Sequence, residues 1–368
     1  MIVGIDGSRC RSGGAIAHLL GFLNQTIPVE VEEVHVWVTG DLKLHKFQDE
    51  RVILHVSFFD NWPIIFQLLW QSLCLPVLLR KRRIDRTVSL DAGTLLKYPK
   101  MISISQDMLS FEDGAILKYP WGRKRLRLEF LRFLQVRALS YPNYAIYLTD
   151  YAKRILLAYT QNPERSVVIP HGIDDFEEPR ASYNSLSEKG KLIYISNVAE
   201  YKNQTNVLLA VKRLVDIGFK VEIMFVGGGQ GHCYEEFLDL QKSLDSNNTY
   251  SKILPFVKRS ALPELIAQHN IFLFASSCEN MPITLLEGMV SRLPILCSNR
   301  GPMPEILEDA GFYFDPENVE SIYKAIKDVL ELKDFELIQR KVERSSQLAS
   351  KYTWQSTSES IWKLIAQI

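Results

Sequence analysis

Short apolar runs rich in Val, Ile and Phe alternate with longer segments whose apolar residues recur at helical spacing, almost from end to end of the 368 residues. That rhythm predicts crossover units and parallel sheets. In the first half, strands are expected at Ile2–Asp6, Val34–Thr39, Val52–Phe58, Thr87–Leu90, Met101–Ser105, Ala145–Leu148 and Val167–Pro170. A polar stretch from Asp174 to Gly190 then mixes acids, serines and a proline as a linker does. The rhythm restarts at Leu192–Ser196, Glu222–Val226, Ile253–Phe256, Ile271–Ala275, Ile295–Cys297 and Phe312–Phe314. The last segment carries Trp354, Ile361, Trp362, Leu364 and Ile365 in a helix-compatible pattern, so it is expected to pack on something. The expected fold is α/β, with two Rossmann-like domains, 1–170 and 191–352, joined by a linker at 171–190. The helix 353–368 is expected to pack back on the first domain. Two such domains face a central cleft, around which strand ends and helix N-termini gather ligands.

Composition narrows the class. At 46% hydrophobic, 11% aromatic and 23% charged, the chain has ample core material and is neither disordered, collagen-like nor a coiled coil. Forty-three basic and forty-three acidic residues cancel, which gives no reason to expect a nucleic-acid partner. The cancellation hides an asymmetry: residues 1–170 carry 22 Lys/Arg against 16 Asp/Glu, a net of +6, and residues 171–368 carry 21 against 27, a net of −6. Five scattered cysteines, Cys10, Cys74, Cys233, Cys278 and Cys297, show no metal-ligand spacing and point to a reducing cytosol without disulfides or structural zinc. Arg9 and Arg11 before the apolar Ala15–Leu23 echo a signal peptide, but the run is short, holds His18 and lacks a cleavage site, so export is not expected. The stretch Trp62–Leu79 approaches bilayer-spanning length, yet Gln67, Gln71, Ser72 and Pro76 interrupt it; a buried or interfacial helix is expected.

The densest candidate chemistry is the run from Glu279 through Asn280, Met281, Pro282 and Ile283 to Glu287 and Gly288, directly after an apolar strand. Pro282 suits the first turn of a helix whose N–H groups attract phosphate or sugar oxygens. Glu279 then lies in the loop before the helix, free to approach a sugar, and Glu287 about one and a half turns inside it, where a carboxylate can accept from paired hydroxyls such as those of a ribose. Helix capping for Glu279 and a solvated helix face for Glu287 are the plainer readings. Gly227–Gly229 lacks a G-x-G-x-x-G frame with a following acid, so NAD is not expected. His171 reads equally as a hydrogen-bonded boundary residue or a contact, and His18, His55 and His269 as structural.

The frame Glu279-Asn-Met-Pro-Ile-x3-Glu287-Gly288, followed by Leu293-Pro294-Ile295 and Gly301-Pro302-Met303-Pro304-Glu305-Ile306, resembles the donor-binding region of family 4 retaining glycosyltransferases with the GT-B fold. Val168-Ile169-Pro170-His171-Gly172-Ile173-Asp174 resembles that family's interdomain segment, and Ile195 to Asn203 its first strand-to-helix turn in the second domain. Phe225 to Gly229, and Phe256-Val257 with Leu262-Pro263-Glu264-Leu265, follow in the family's order. The resemblance is strong over residues 165–315 and looser before them. It implies that Glu287 holds the nucleotide ribose, Lys202 the diphosphate, and the backbone around Phe256 and Val257 the base. Glu279 and the N–H groups from Asn280 to Ile283 surround the donor sugar, and Gly13-Gly14 resembles the family's glycine-rich turn, with a plain tight turn as the alternative. Two positions depart from the family. Asn197 stands where an arginine is common, so Arg9, Arg11 or a first-domain histidine is expected to help neutralise the diphosphate. Gln106 and Asp107 stand where many members carry a histidine facing the sugar, which resembles a subgroup with an amide pair there.

Two basic runs complete the picture: Arg80-Lys81-Arg82-Arg83 with Arg86, and Arg123 to Arg137 interleaved with Leu126, Leu128, Phe130, Leu131, Phe133 and Leu134. The second reads as a basic amphipathic helix suited to an anionic membrane, or as the solvated face of a packed helix. The resemblance implies a cytoplasmic retaining glycosyltransferase, with a peripheral place on the inner face of the membrane as the further expectation. Such an enzyme takes a sugar from a nucleotide-diphosphate donor (UDP- or GDP-linked) to a glycan acceptor on a lipid carrier, as in surface-polysaccharide synthesis. No metal or other cofactor is expected, since no Asp-x-Asp element accompanies the nucleotide segment. A nucleotide-sugar 2-epimerase on the same scaffold, and a non-catalytic nucleotide-sugar-binding scaffold, are the alternatives.

Overall fold

A strand forms at each of the apolar runs, and a helix or an irregular crossover at each gap. In this computed structural model, residues 1–10, 13–39, 42, 45–57, 62–160, 162–174, 189–255 and 257–368 are described. Most of the expected linker, part of the run to Phe58, and Arg11 and Phe256 lie outside the described residues. The chain divides into two units, residues 1–173 with 352–368, and residues 174–351.

The first unit runs β1 (Ile2–Gly7), α1 (Gly13–Leu23), β2 (Glu33–Val38), β3 (Val52–Val56), α2 (Ile64–Lys81), β4 (Arg86–Ser89), β5 (Met101–Ile104), α3 (Asp113–Leu117), α4 (Arg123–Ser140), β6 (Tyr144–Tyr147), α5 (Asp150–Thr160) and β7 (Ser166–Val168). Its seven strands pair in parallel in the order β3-β2-β1-β4-β5-β6-β7. The order reverses between β1 and β4. Right-handed crossovers therefore put α1 on one face of the sheet and α2, α4 and α5 on the other. Packing agrees: a Cβ at Gly4 would meet Leu79 of α2, whereas one at Gly7 would meet Leu19 of α1. Covering on both faces is why these strands read as nearly unbroken apolar runs.

The second unit runs β8 (Gly190–Ile195), α6 (Gln204–Asp216), β9 (Val221–Val226), α7 (His232–Leu244), β10 (Ser251–Leu254), α8 (Leu262–Ala267), β11 (Ile271–Phe274), α9 (Ile283–Val290), β12 (Ile295–Ser298), α10 (Met303–Leu307), β13 (Phe312–Phe314), α11 (Val319–Glu331) and α12 (Phe335–Ala349). Its parallel sheet has the order β10-β9-β8-β11-β12-β13, reversing between β8 and β11.

The last helix, α13 (Trp354–Gln367), returns to the first unit. Thr353 caps it by accepting from the Ser356 N–H, Ser358 donates to the Phe22 carbonyl at 3.0 Å, and Trp362 lies against the Phe22 ring. Beside Trp354, the buried His18 and His171 meet Nδ1 to Nδ1 at 2.7 Å. Burial holds the imidazole of His18 down to about 4 and that of His171 well below its ordinary value, so the pair is neutral at physiological pH. His171 is thus a hydrogen-bonded structural residue. Next to it, the backbone of Gly172 runs so close to α13 that a Cβ would sit 2.2 Å from the Trp354 nitrogen. Gly172→Ala is expected to cost roughly 3 kcal/mol, the upper end of overpacking. That corresponds to a drop of about 6 °C or more in the unfolding midpoint. A calorimetric scan that superimposes on the wild type would refute this packing argument.

Candidate functional site

In an open parallel sheet, ligands collect beyond the carboxyl ends of the strands where the order reverses. In the second unit that point lies between β8 and β11, and the loops leaving these two strands are tied to each other. Ser277 donates its N–H to the Tyr201 carbonyl at 2.8 Å, and Asn203 donates its amide to the Ala275 carbonyl at 2.9 Å. A third loop closes in beside them. Gly227 has φ +132° and approaches so closely that a Cβ would lie 2.3 Å from the Ser196 oxygen, while the Val198 N–H donates to the Gly228 carbonyl at 2.9 Å. Only glycine fits that position, which gives the triple-glycine run a packing reason.

Lys202 stands at the end of a 3-10 turn, Glu200–Lys202. Its N–H is held by the Ala199 carbonyl at 2.9 Å, and its own carbonyl by the Tyr194 hydroxyl at 2.6 Å. Asn203, in the left-handed region at φ 56°, then turns the chain into α6. With its backbone fixed, Lys202 extends its ammonium across the reversal point and donates to the Glu279 carboxylate, within reach of the Tyr201 and Phe274 rings. Both side chains are partly buried. The two residues singled out from separate stretches of sequence thus form one ion pair at the switch point. Asn197 lies exposed beside it, its carbonyl accepting from Ser196 and Gln204, and supplies no charge.

Asn280, Met281 and Pro282 are buried behind Glu279 and lead into α9. Pro282 is the cap residue, one position earlier than the first-turn place expected, because its ψ of 109° keeps it extended. Its carbonyl already accepts from the Leu285 N–H at 3.1 Å. Ile283 opens the helix, so its N–H is among the first-turn donors that no helical carbonyl satisfies. Gly288 lets α9 lie directly on β11, since a Cβ would strike the Phe272 ring at 2.6 Å.

Glu287, on the same helix, is 3% exposed. Burial pushes its carboxyl up to about 7, opposed by Arg259 at 3.3 Å and reinforced by the nearby Asp174 carboxylate. Arg259 also reaches Asp174 at 3.7 Å. Sequence reasoning passed over Arg259; the signal was its place two residues beyond Val257, in the turn between β10 and α8. Val257 is described at the head of that turn, and Phe256 lies outside the described residues.

In the first unit the reversal point lies between β1 and β4 and is likewise crossed by an ion pair. Arg9 meets Asp91 at 3.2 Å and donates to the Gly93 carbonyl. Arg9, expected to help neutralise the diphosphate, is thus anchored within its own unit. Four of the first unit's histidines are paired as well, His18 with His171 and His35 with both His55 and Glu33, whereas the buried Nε2 of His45 has no hydrogen-bond partner. Gly13, at φ +49°, and Gly14 open α1 at an exposed position, with no atom within 4 Å of where a Gly13 Cβ would stand. Gln106 and Asp107 follow β5; the Gln106 amide nitrogen is buried without a hydrogen-bond partner, and Asp107 is exposed and accepts from the Leu109 N–H at 2.9 Å. Among the described residues no cluster of three His, Cys, Asp or Glu could hold a metal ion.

Residues 175–347 match the family model of glycosyl transferases group 1. O-antigen chain mannosyltransferase B of Escherichia coli is 21% identical over 228 residues, covering 60% of this chain and 60% of that protein. N-acetyl-alpha-D-glucosaminyl L-malate synthase of Bacillus anthracis is 26% identical over 173 residues, 46% of this chain and 43% of its own length. The chain thus spans less than two thirds of the length of these curated relatives. Among solved structures, Anabaena HepE in complex with UDP and glucose superposes over 100% of both chains with a TM-score of 0.74 at 16% identity. Sucrose-phosphate synthase of Thermosynechococcus elongatus gives a TM-score of 0.80 at 11% identity, covering 100% of this chain and 98% of that one. The fold is that of GT-B glycosyltransferases, which is the architecture expected from the sequence.

Proposed function

We propose that this chain is a retaining, metal-independent glycosyltransferase that moves a sugar from a nucleotide-diphosphate donor to a lipid-linked glycan in surface-polysaccharide synthesis. In this reading it works in the cytoplasm at the inner face of the membrane. The carrying observation is the Lys202–Glu279 pair at the β8/β11 reversal point, one helix away from the buried Glu287.

The second unit takes the donor in this reading, and the first the acceptor. Glu287 accepts from the ribose hydroxyls, and the Val257 backbone, with Phe256, borders the base. An ammonium has three donors, so Lys202 can hold Glu279 and a phosphate oxygen together. Glu279 and the N–H groups running to Ile283 surround the sugar. As the anomeric bond breaks, positive charge grows on the sugar near the Glu279 carboxylate, and negative charge grows on the diphosphate near Lys202 and the α9 N-terminus. With Asn197 neutral, Arg259 is the next cation of this unit near the nucleotide residues. Gln106 and Asp107 are assigned a catalytic role, in which the unpartnered Gln106 amide can donate to a sugar hydroxyl, and Gly13 and Gly14 a role in donor binding.

The test is a panel of UDP- and GDP-sugars read by thermal shift and by turnover, with and without chelator. A saturating donor at about 100 times its dissociation constant should add roughly 2.7 kcal/mol of stability. Turnover should survive EDTA, because Lys202 and the helix end carry the charge compensation. Loss with EDTA and rescue by magnesium or manganese sinks the metal-independent part. Donor turned over without any acceptor into an epimer favours the epimerase, and binding without turnover favours the scaffold.

A further inference from the structure

Helix α2 buries one stripe and exposes another that is just as apolar. Gln67, Leu68, Gln71, Leu75 and Leu79 face the unit, at a spacing of three and four residues; Leu75 and Leu79 join Trp37 and Met101 in its core. On the opposite side, Ile65, Phe66, Leu69, Leu73 and Val77 are each 46% to 65% exposed, preceded by the exposed Trp62. That is an uninterrupted outward stripe at helical spacing, and an apolar run of this extent on a folded surface marks an interaction site. From Trp62 to Ile84 the sequence has no Asp or Glu, and the stripe ends in four exposed cations, Arg80 to Arg83.

Helix α4 repeats the combination on the same face of the sheet. Trp121, Leu126, Phe130 and Phe133 are exposed there beside the exposed Arg123, Lys124 and Arg127. The basic residues expected to form one amphipathic face are in fact divided. Arg125 is held by Glu129 and the Ile116 carbonyl, and Arg132 by Glu129 and the Ser110 carbonyl, so the outward set is smaller and mixed with apolar side chains.

At 18 residues, α2 has the length and apolarity of a membrane span. It cannot serve as one while folded, because Gln71 donates to the buried Asp6 carboxylate at 2.8 Å and a whole stripe lies in the core. What the exposed stripe fits is a helix lying in the plane of a bilayer, its apolar side chains among the acyl chains and its cations at the phosphates. We propose that α2 docks the first unit on an anionic lipid surface, with Ile65, Phe66, Leu69, Leu73 and Val77 inserted and Arg80–Arg83 at the headgroups, and that α4 adds a second contact on the same side. The occupant is a lipid surface because exposed apolar side chains and exposed cations coincide on both helices. The inference deepens the reading of a lipid-linked acceptor and rests on it for its purpose.

The experiment is co-sedimentation of the full chain with phosphatidylcholine vesicles, with and without phosphatidylglycerol, over a range of salt. The wild type is expected to bind the anionic vesicles, less so as salt screens the cations. Leu69→Gln/Leu73→Gln and Arg80→Glu/Arg82→Glu should each lower the partition coefficient at least tenfold while the unfolding midpoint stays at the wild-type value. Three results overturn the proposal: no binding by the wild type, binding that neither variant weakens, or a lipid-free dimer that Leu69→Gln/Leu73→Gln makes monomeric, which would assign the stripe to a second copy. The assay contains no nucleotide, so its failure leaves the glycosyltransferase reading standing, and an inactive donor panel leaves the vesicle result standing.

Discussion

Lys202→Met is expected to lower kcat by two to three orders of magnitude, the usual loss when one preorganised donor to developing negative charge is removed. The residue has two jobs to separate, because the same ammonium holds Glu279. If pairing were its whole role, neutralising the partner would relieve the defect, and Lys202→Met/Glu279→Gln would recover activity. If Lys202 compensates the diphosphate, the double variant stays at least as slow as the single one, and nucleotide affinity falls in both. A double-mutant cycle measured on kcat, on nucleotide Kd and on the unfolding midpoint gives the three answers independently. Recovery in the double variant would remove Lys202 from the reaction and leave it a structural cation. Glu279→Ala should spare nucleotide Kd and lower kcat if, as proposed, its contact is with the reacting sugar.

The strands were legible because these sheets are parallel and covered on both faces. Each central strand then needs a run of apolar residues too short for a helix, bounded by polar crossovers, and Ile271–Phe274 or Leu192–Ile195 announce themselves that way. The returning C-terminal helix was legible from its tryptophans. What gives it a definite seat was not: the contact of Gly172 with Trp354 and the His18–His171 pair join residues far apart in sequence, and no local pattern encodes them.

For the candidate site the division is similar. Glu279, Glu287 and Lys202 could be picked out because strand-end position and motif order mark them. Their partners could not, since an ion pair depends on which loops the strand order makes adjacent. Arg9 was expected near the diphosphate, but its partner Asp91 was not foreseen, because only the neighbouring of β1 and β4 brings that carboxylate within its reach. Arg259 was missed for the converse reason: the turn that carries it looks like any exposed basic turn until the fold brings it against a buried glutamate.

That contact leads to the second large effect expected, a pH dependence of nucleotide binding centred near neutrality. Burial raises the Glu287 carboxyl from 4.5 to about 7, with Arg259 opposing and Asp174 adding to the rise. A carboxyl whose pKa is higher folded than unfolded takes up its proton on folding. Its stabilising contribution is complete below about 4.5 and is lost as pH rises through about 7. The unliganded chain should therefore lose on the order of 3 kcal/mol from this residue across that window, and Glu287→Gln should flatten that part of the stability profile. Binding runs the other way. Ribose hydroxyls donate best to the ionised carboxylate, so a bound nucleotide favours release of the proton, and Kd should fall by up to about tenfold per pH unit on the acid side and level off above neutrality. Glu287→Gln should bind more weakly by roughly 1.5 to 3 kcal/mol at high pH, the worth of a charged hydrogen bond, and show no such profile. Asp174→Asn should move the midpoint to lower pH and Arg259→Ala to higher pH, because each removes one of the two charges that act on the carboxyl. Titration calorimetry in buffers of different ionisation enthalpy counts the proton released on binding. A wild-type affinity that is flat from about pH 5.5 to 8 would take the ribose away from Glu287.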